Sequence, residues 1–216
     1  MAESSSRIKK IYAAWLMAAA LVVIKVNIGV VLTFGDYFPP DFNSSFLSGR
    51  RSYFFGSYQW AFYAHIISGP CSLFLGVALI SERLRNRWPS LHRYLGRVQM
   101  VCVLLFVVPG GFVMAFRAET GAIAGTAFAL LAIATGLTAA LGWRTAVRRR
   151  FVEHRRWMWR CFLLLCSAVV LRLLTGLAIV THTTGSWTYP TAAWCSLILP
   201  VTVYETVRRR RNALQR

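Results

Sequence analysis

Apolar residues in this chain come in six long runs, at 11–34, 57–80, 97–117, 121–142, 157–181 and 188–207. Short stretches dense in arginine or in turn residues separate them. A helix rises about 1.5 Å per residue and the hydrocarbon core is about 30 Å thick, so about 20 apolar residues cross it. Each run has that length. The pattern predicts an all-α fold: one polytopic membrane bundle of about six transmembrane helices, with residues 1–216 forming a single domain. The third and fourth runs are joined by little more than Ala118-Glu119-Thr120, a tight helical hairpin. The fourth run carries Gly121-x-x-x-Gly125, Gly136 and Gly142 among alanines, a small face suited to close helix packing.

The one long connection, 35–56, interleaves phenylalanine and tyrosine with Gly, Pro, Asp and Ser. Aromatic rings favour the membrane–water interface, so this loop is expected to lie across the outer surface, passively or as a lid or partner contact. Composition agrees with the membrane assignment, at 56% hydrophobic residues and a mean hydropathy of +0.51. The first run is too long for a signal-peptide core and leads into Lys25 and Asn27, not a small-residue cleavage site. The five cysteines all fall within runs and no CxxC pair exists, which points to packing and not to disulfides or zinc.

Charge fixes the expected orientation. The net charge is +18, and 20 of the 25 basic residues fall on one side of the predicted spans. They flank the first run, fill the turns before the third and fifth, and follow the sixth. Only Arg50, Arg51 and Arg117 fall on the other side. This asymmetry predicts cytoplasmic termini in a bacterial inner membrane, with the basic belts against anionic lipids. Nucleic acid is not the expected partner, since no contiguous basic face or presenting motif is visible.

The two remaining basic residues, Lys25 and Arg172, lie inside runs, as does His65. All three fall about 4–5 Å to the outer side of their span midpoints. The seven acidic residues sit at or beyond span ends, so none neutralises them. Ser68-Gly69-Pro70 and Pro109-Gly110-Gly111 place helix breaks near the same level. Broken helices free backbone groups that protein, water or ligand must satisfy, and ionisable residues at that depth mark sites. A cationic pocket of Lys25, His65 and Arg172 suits an anion or carbonyl oxygens: a haem propionate, a quinone, a lipid phosphate or a small acid. The plainer reading is that the two cations snorkel or meet freed carbonyls, while His65 simply packs.

A second constellation lies at the arginine-rich side. The turns before the third and fifth runs echo one another, each with a His-Arg pair just before re-entry: His92-Arg93 and His154-Arg155. Arg97 and Arg160 follow. His92 and His154 suit the two axial positions of one haem if their helices face each other, with the four arginines taking propionates. The alternative is that these arginines bind lipid phosphates and anchor the helix ends.

The segments HISGPCSLFLG, LRNRWPSLHRYLGR and EHRRWMWR, with Arg172 downstream, resemble a family of uncharacterised bacterial membrane proteins defined by a domain of unknown function. The likeness runs from about Trp60 to Arg172 and implies a membrane bundle without implying an activity. A looser likeness is to b561-type cytochromes, which hold haem between helices through histidine pairs. It implies haem b, but the fourth run has no histidine and His65 has no histidine partner at its depth. That departs from a two-haem pattern and leaves one haem at His92 and His154, or at His65 with another ligand.

No GxSxG, HExxH, GxxxxGK or paired carboxylates suggest a hydrolase or nucleotide enzyme. Whether the chain is an enzyme stays open. The leading expectation is a non-catalytic, ligand-binding accessory subunit or assembly factor of a larger membrane complex, joined through the aromatic loop or the small face of the fourth run. A small electron-transfer protein using haem b or quinone is the alternative, followed by an anion or lipid carrier.

Overall fold

The computed structural model describes residues 2–44 and 46–213; Arg216, one of the basic residues assigned to the inner side, lies outside them. The regular elements are helices: α1 (Ala2–Leu32), α2 (Arg51–Phe54), α3 (Ser57–Ile80), α4 (Glu82–Arg87), α5 (Pro89–Val101), α6 (Val108–Ala115), α7 (Ala122–Val147), α8 (Phe151–Leu165), α9 (Ser167–Val180) and α10 (Thr188–Ala213). A π-helical stretch, Cys102–Val107, joins α5 to α6. The rods Pro89–Ala115 and Phe151–Val180 each act as one span.

Five segments are long and apolar enough to cross a membrane: Ala14–Asp36, Ser57–Ile80, Pro89–Ala115, Ala122–Val147 and Phe151–Val180. The sixth expected span, α10, is a 26-residue helix whose threonines, tyrosines and Glu205 lower its apolar content. It nevertheless runs the depth of the bundle. Near its start, Trp194 Nε1 donates to the Ile123 carbonyl of α7 at 3.2 Å. Three turns on, Glu205 pairs with Arg160 of α8 at 2.8 Å. The third and fifth spans begin earlier than hydropathy suggests, because the basic segments after Pro89 and Phe151 continue the helix.

Small residues set the spacing of the bundle. A methyl at Gly125 would lie 2.6 Å from the Ala115 carbonyl, and one at Gly142 would lie 2.6 Å from Met158 Sδ. Gly76 similarly makes room for the Phe162 ring. The small face of the fourth expected run is thus occupied by the protein's own α6 and α8. Side chains from α3, the α5–α6 rod, α7, α8 and α9 interlock in one core, including Leu73, Met100, Val103, Ala139, Cys161 and Val169.

The aromatic connection does not lie flat on the surface. It folds into a cap in which Leu47, Phe54, Tyr58 and Phe62 are buried, with Tyr37, Phe42 and Phe46 packed around them. Phe46 stacks on Phe62 at a centroid distance of 5.5 Å. Arg50, only 5% exposed, fastens the cap. Its Nε donates to the Phe46 carbonyl, and its Nη1 to Tyr53 Oη at 3.2 Å and the Arg117 carbonyl at 3.1 Å. Glu119 lies 3.4 Å from Nη2. Much of the aromatic loop and of the small face of the fourth run thus packs within the protein, while Phe38 and Phe55 stay exposed. The cap closes one end of the bundle and the arginine-rich turns form the other.

The closest helix approach that bears on function is at Gly110, where a Cβ would meet the Ala61 carbonyl at 2.7 Å and His65 Cβ at 3.0 Å. Backbone cannot step aside as a flexible side chain can. Gly110→Ala is expected to destabilise the bundle by about 1–3 kcal/mol. Gly69→Ala, with nothing within 4 Å of the new methyl, should leave stability essentially unchanged. Thermal unfolding of both variants in one mild detergent checks the contrast.

Candidate functional site

The break in α3 organises the middle of the bundle. Pro70 has no N–H and leaves the ladder of α3 one donor short, and side-chain donors gather on the carbonyls around it. Ser68 Oγ donates to the Ala64 carbonyl, and Ser72 Oγ to the Ser68 carbonyl at 2.8 Å. From α1, Asn27 Nδ2 donates to the Pro70 carbonyl at 3.0 Å. From α5, Gln99 Nε2 donates to the Ser72 carbonyl at 3.1 Å. Both amides are 2% exposed. Gln99 Oε1 is buried with no hydrogen-bond partner.

One and a half turns earlier on α3, His65 reaches across to the end of the π-helical stretch. Its Nδ1 lies 2.8 Å from the Val107 carbonyl. A carbonyl only accepts, so Nδ1 carries the proton, and in the neutral form of the ring Nε2 is the acceptor. Gly111 makes this possible, because a methyl there would fall 2.9 Å from His65 Cε1. The π-helical widening, Pro109 and the glycine pair together form the shelf against which the imidazole is held.

Arg172, on α9, acts electrostatically on His65, and Tyr37 and Tyr189 act on Arg172 in turn. Its Nη1 donates to its own Ala168 carbonyl at 3.0 Å, and the side chain is otherwise exposed. Lys25 is not brought to this group. Asn27 takes the buried side of α1, and two residues along a helix is a rotation of about 200°. Lys25 therefore emerges on the exposed side. Of the expected triad of Lys25, His65 and Arg172, only His65 and Arg172 stay within electrostatic reach of each other.

At the arginine-rich end, His92 and His154 are neighbours close enough to interact electrostatically. Each is the fourth residue of its helix, and each backbone N–H bonds to the residue before that helix, Trp88 and Arg150 respectively. The echo in the sequence is thus an echo in local structure. His154 Nδ1 donates to the Gly142 carbonyl at 2.8 Å, leaving Nε2 as an acceptor. His92 Nδ1 is buried and has no hydrogen-bond partner.

The arginines proposed for phosphate or propionate divide into two classes. Arg155 is engaged by Glu82, and Arg160 by Glu205 and, at 4.4 Å, by the Trp157 ring. Arg93 and Arg97 are exposed, with Arg93 Nη2 donating to Ser90 Oγ at 3.1 Å. Among the described residues, no group of three or more His, Cys, Asp or Glu is placed to hold a metal ion.

A family model described as "Predicted membrane protein (DUF2306)" matches residues 62–207. The chain belongs to that family. No curated protein and no solved structure matches it. The part that defines this membrane family begins within α3 and extends into α10, so it contains His65, His92, His154 and Arg172, while α1 and most of the cap precede it. Asn27, Gln99 and Arg50 carry buried polar contacts that sequence reading did not single out. Asn27 and Gln99 stood in view as amides within apolar runs; nothing in the sequence marked Arg50 as buried.

Glu82 is tied across the arginine-rich end. The hydrogen-bonded Arg155 guanidinium, supported by Arg85, holds its carboxyl below the ordinary value of 4.5. The depressed value means the tie contributes fully above the ordinary carboxylate range and is lost as pH falls through the lowered value. Because the pair is largely exposed, its contribution is under ~1 kcal/mol. The difference in Tm between wild type and Glu82→Gln is expected to vanish as pH is lowered from about 6 to about 3. Paired thermal melts check it.

Proposed function

We propose that this protein is a non-catalytic, ligand-binding membrane subunit of the bacterial inner membrane, with its arginine-rich end in the cytoplasm against anionic lipids. Its ligand is an amphipathic molecule with oxygen acceptors, held at the His65–Arg172 centre. The observation that carries this reading is the His65–Val107 bond. It commits Nδ1 to the protein and leaves Nε2 as an acceptor near a guanidinium that only donates. A quinone head group suits that pairing, its carbonyl accepting from Arg172 and, in the reduced form, its hydroxyl donating to His65. A lipid phosphate would engage Arg172 alone.

One observation favours a second reading. His92 Nδ1 is buried without a partner beside His154, whose ring orientation is fixed by a carbonyl in the way typical of metal-ligating histidines. These two residues would be the axial ligands of a single haem b, with the exposed Arg93 and Arg97 facing its propionates, and the protein would then transfer electrons.

One preparation tests both. The protein purified in mild detergent is expected to be stabilised by ubiquinone-1 but not by a short-chain phosphatidylglycerol. Arg172→Met should abolish the shift, and His65→Phe should weaken it. A shift from neither compound, or one indifferent to Arg172→Met, contradicts the His65–Arg172 site. Oxidised and dithionite-reduced absorption spectra of the same sample decide the haem reading. A Soret band lost in His92→Ala and His154→Ala supports it, and a featureless spectrum rejects it.

A further inference from the structure

Lys25 has no role in the centre just described, yet it is the central residue of the span Ala14–Asp36. About 16 Å of helix separates it from either end, well beyond the reach of its four-carbon stem. In an upright helix the stem alone leaves the ammonium short of the headgroups. Its neighbours on the same face, at helical spacing, are Leu21, Ile28 and Leu32, which are 60%, 47% and 78% exposed. Of the five apolar spans, this one is the least covered: 11% of its most apolar stretch is buried, against 28–33% in the others. The opposite face of α1 is the one that packs, through Val23, Val26 and the Asn27–Pro70 bond. A continuous apolar stripe with one ammonium at its middle therefore faces away from the bundle.

We infer that this stripe is the docking face for a transmembrane helix of another protein that carries a carboxylate near its centre. The inference deepens the subunit reading and rests on it. Charge complementarity identifies the occupant, because a cation facing hydrocarbon at mid-depth is compensated there by an anion at the same depth. A second copy of this chain cannot supply one. All seven of its acidic residues lie at or beyond the ends of the apolar runs, and a symmetric pairing of α1 helices would bring two lysines together. An anionic lipid keeps its phosphate at the interface. The aromatic cap and the small face of α7 pack largely within the protein itself and carry no unpaired charge at mid-depth.

The test uses the full chain, donor-labelled in phosphatidylcholine vesicles, and an acceptor-labelled leucine–alanine transmembrane peptide with a single central Asp. The control peptides carry Leu at that position or the Asp near one end. Energy transfer should report association of the central-Asp peptide about tenfold above both controls, the scale of one interhelical polar contact. Lys25→Met should remove the difference, while Arg172→Met should leave it. Removing a lipid-facing charge does not endanger folding, so the variant is a fair comparison. Equal association of all three peptides overturns the inference, as does a preference unchanged by Lys25→Met. A preference lost only in Arg172→Met would move the contact to α9 and equally overturn it. Strong energy transfer between copies of the chain itself, displacing the peptide, would assign the face to self-association. None of these readouts involves the ligand at His65, so failure here is distinguishable from failure of the ligand-binding reading.

Discussion

Within a membrane every backbone polar group needs a partner from the protein, and this bundle is organised around two places where a helix cannot provide its own. Pro70 interrupts α3, and the π-helical stretch Cys102–Val107 with Pro109 interrupts the third span. Three side chains from three helices bond to carbonyls close to these places: Asn27 to Pro70, Gln99 to Ser72 and His65 to Val107. Each such bond also fixes a rotation. Asn27 sets which face of α1 is buried, and so sends Lys25 outward. His65 gives Nδ1 to the Val107 carbonyl, and so Nε2 is the nitrogen left uncommitted. Gly110 and Gly111 permit the close approach that the His65 bond requires.

The two ends of the bundle are held by different physics. The cap is an aromatic core with a buried guanidinium threaded through it, and Arg50 joins that core to the α6–α7 turn. The arginine-rich end is fastened by exposed or half-buried ion pairs, Arg155–Glu82 and Arg160–Glu205, which draw α4 and α10 onto α8. Exposed pairs of this kind contribute little individually. Their effect is to place His92 beside His154 and to leave Arg93 and Arg97 accessible. One end is therefore an aromatic closure, and the other a charged surface.

Long apolar runs made the bundle legible, because hydrocarbon thickness imposes a length that few other folds need. Segment ends were less so. The helices starting at Pro89 and Phe151 begin in basic sequence that hydropathy excludes, and α10 is diluted by threonine and tyrosine while still packing along α7 and α8. That Lys25, His65 and Arg172 lie inside apolar spans was legible, but the direction each faces was not. Which way a residue faces depends on helix rotation, and Asn27, two positions from Lys25, decides it. The proline–glycine segments were visible, yet nothing in the spacing said that His65 would spend one nitrogen on the Val107 carbonyl. The aromatic loop showed an affinity for interfaces, whereas its folding into a cap depends on Arg50 finding acceptors as distant in sequence as Arg117 and Glu119.

The claim on which the rest turns is the state of one imidazole. Nitrogen-15 NMR of histidine-labelled protein in bilayers, with His65→Phe to assign the resonance, reads it directly. The account predicts a neutral His65 ring protonated on Nδ1, with the nitrogen signature of a bare Nε2. A ring protonated on Nε2, or on both nitrogens at neutral pH, would contradict the bond to Val107 and the acceptor that the ligand site requires.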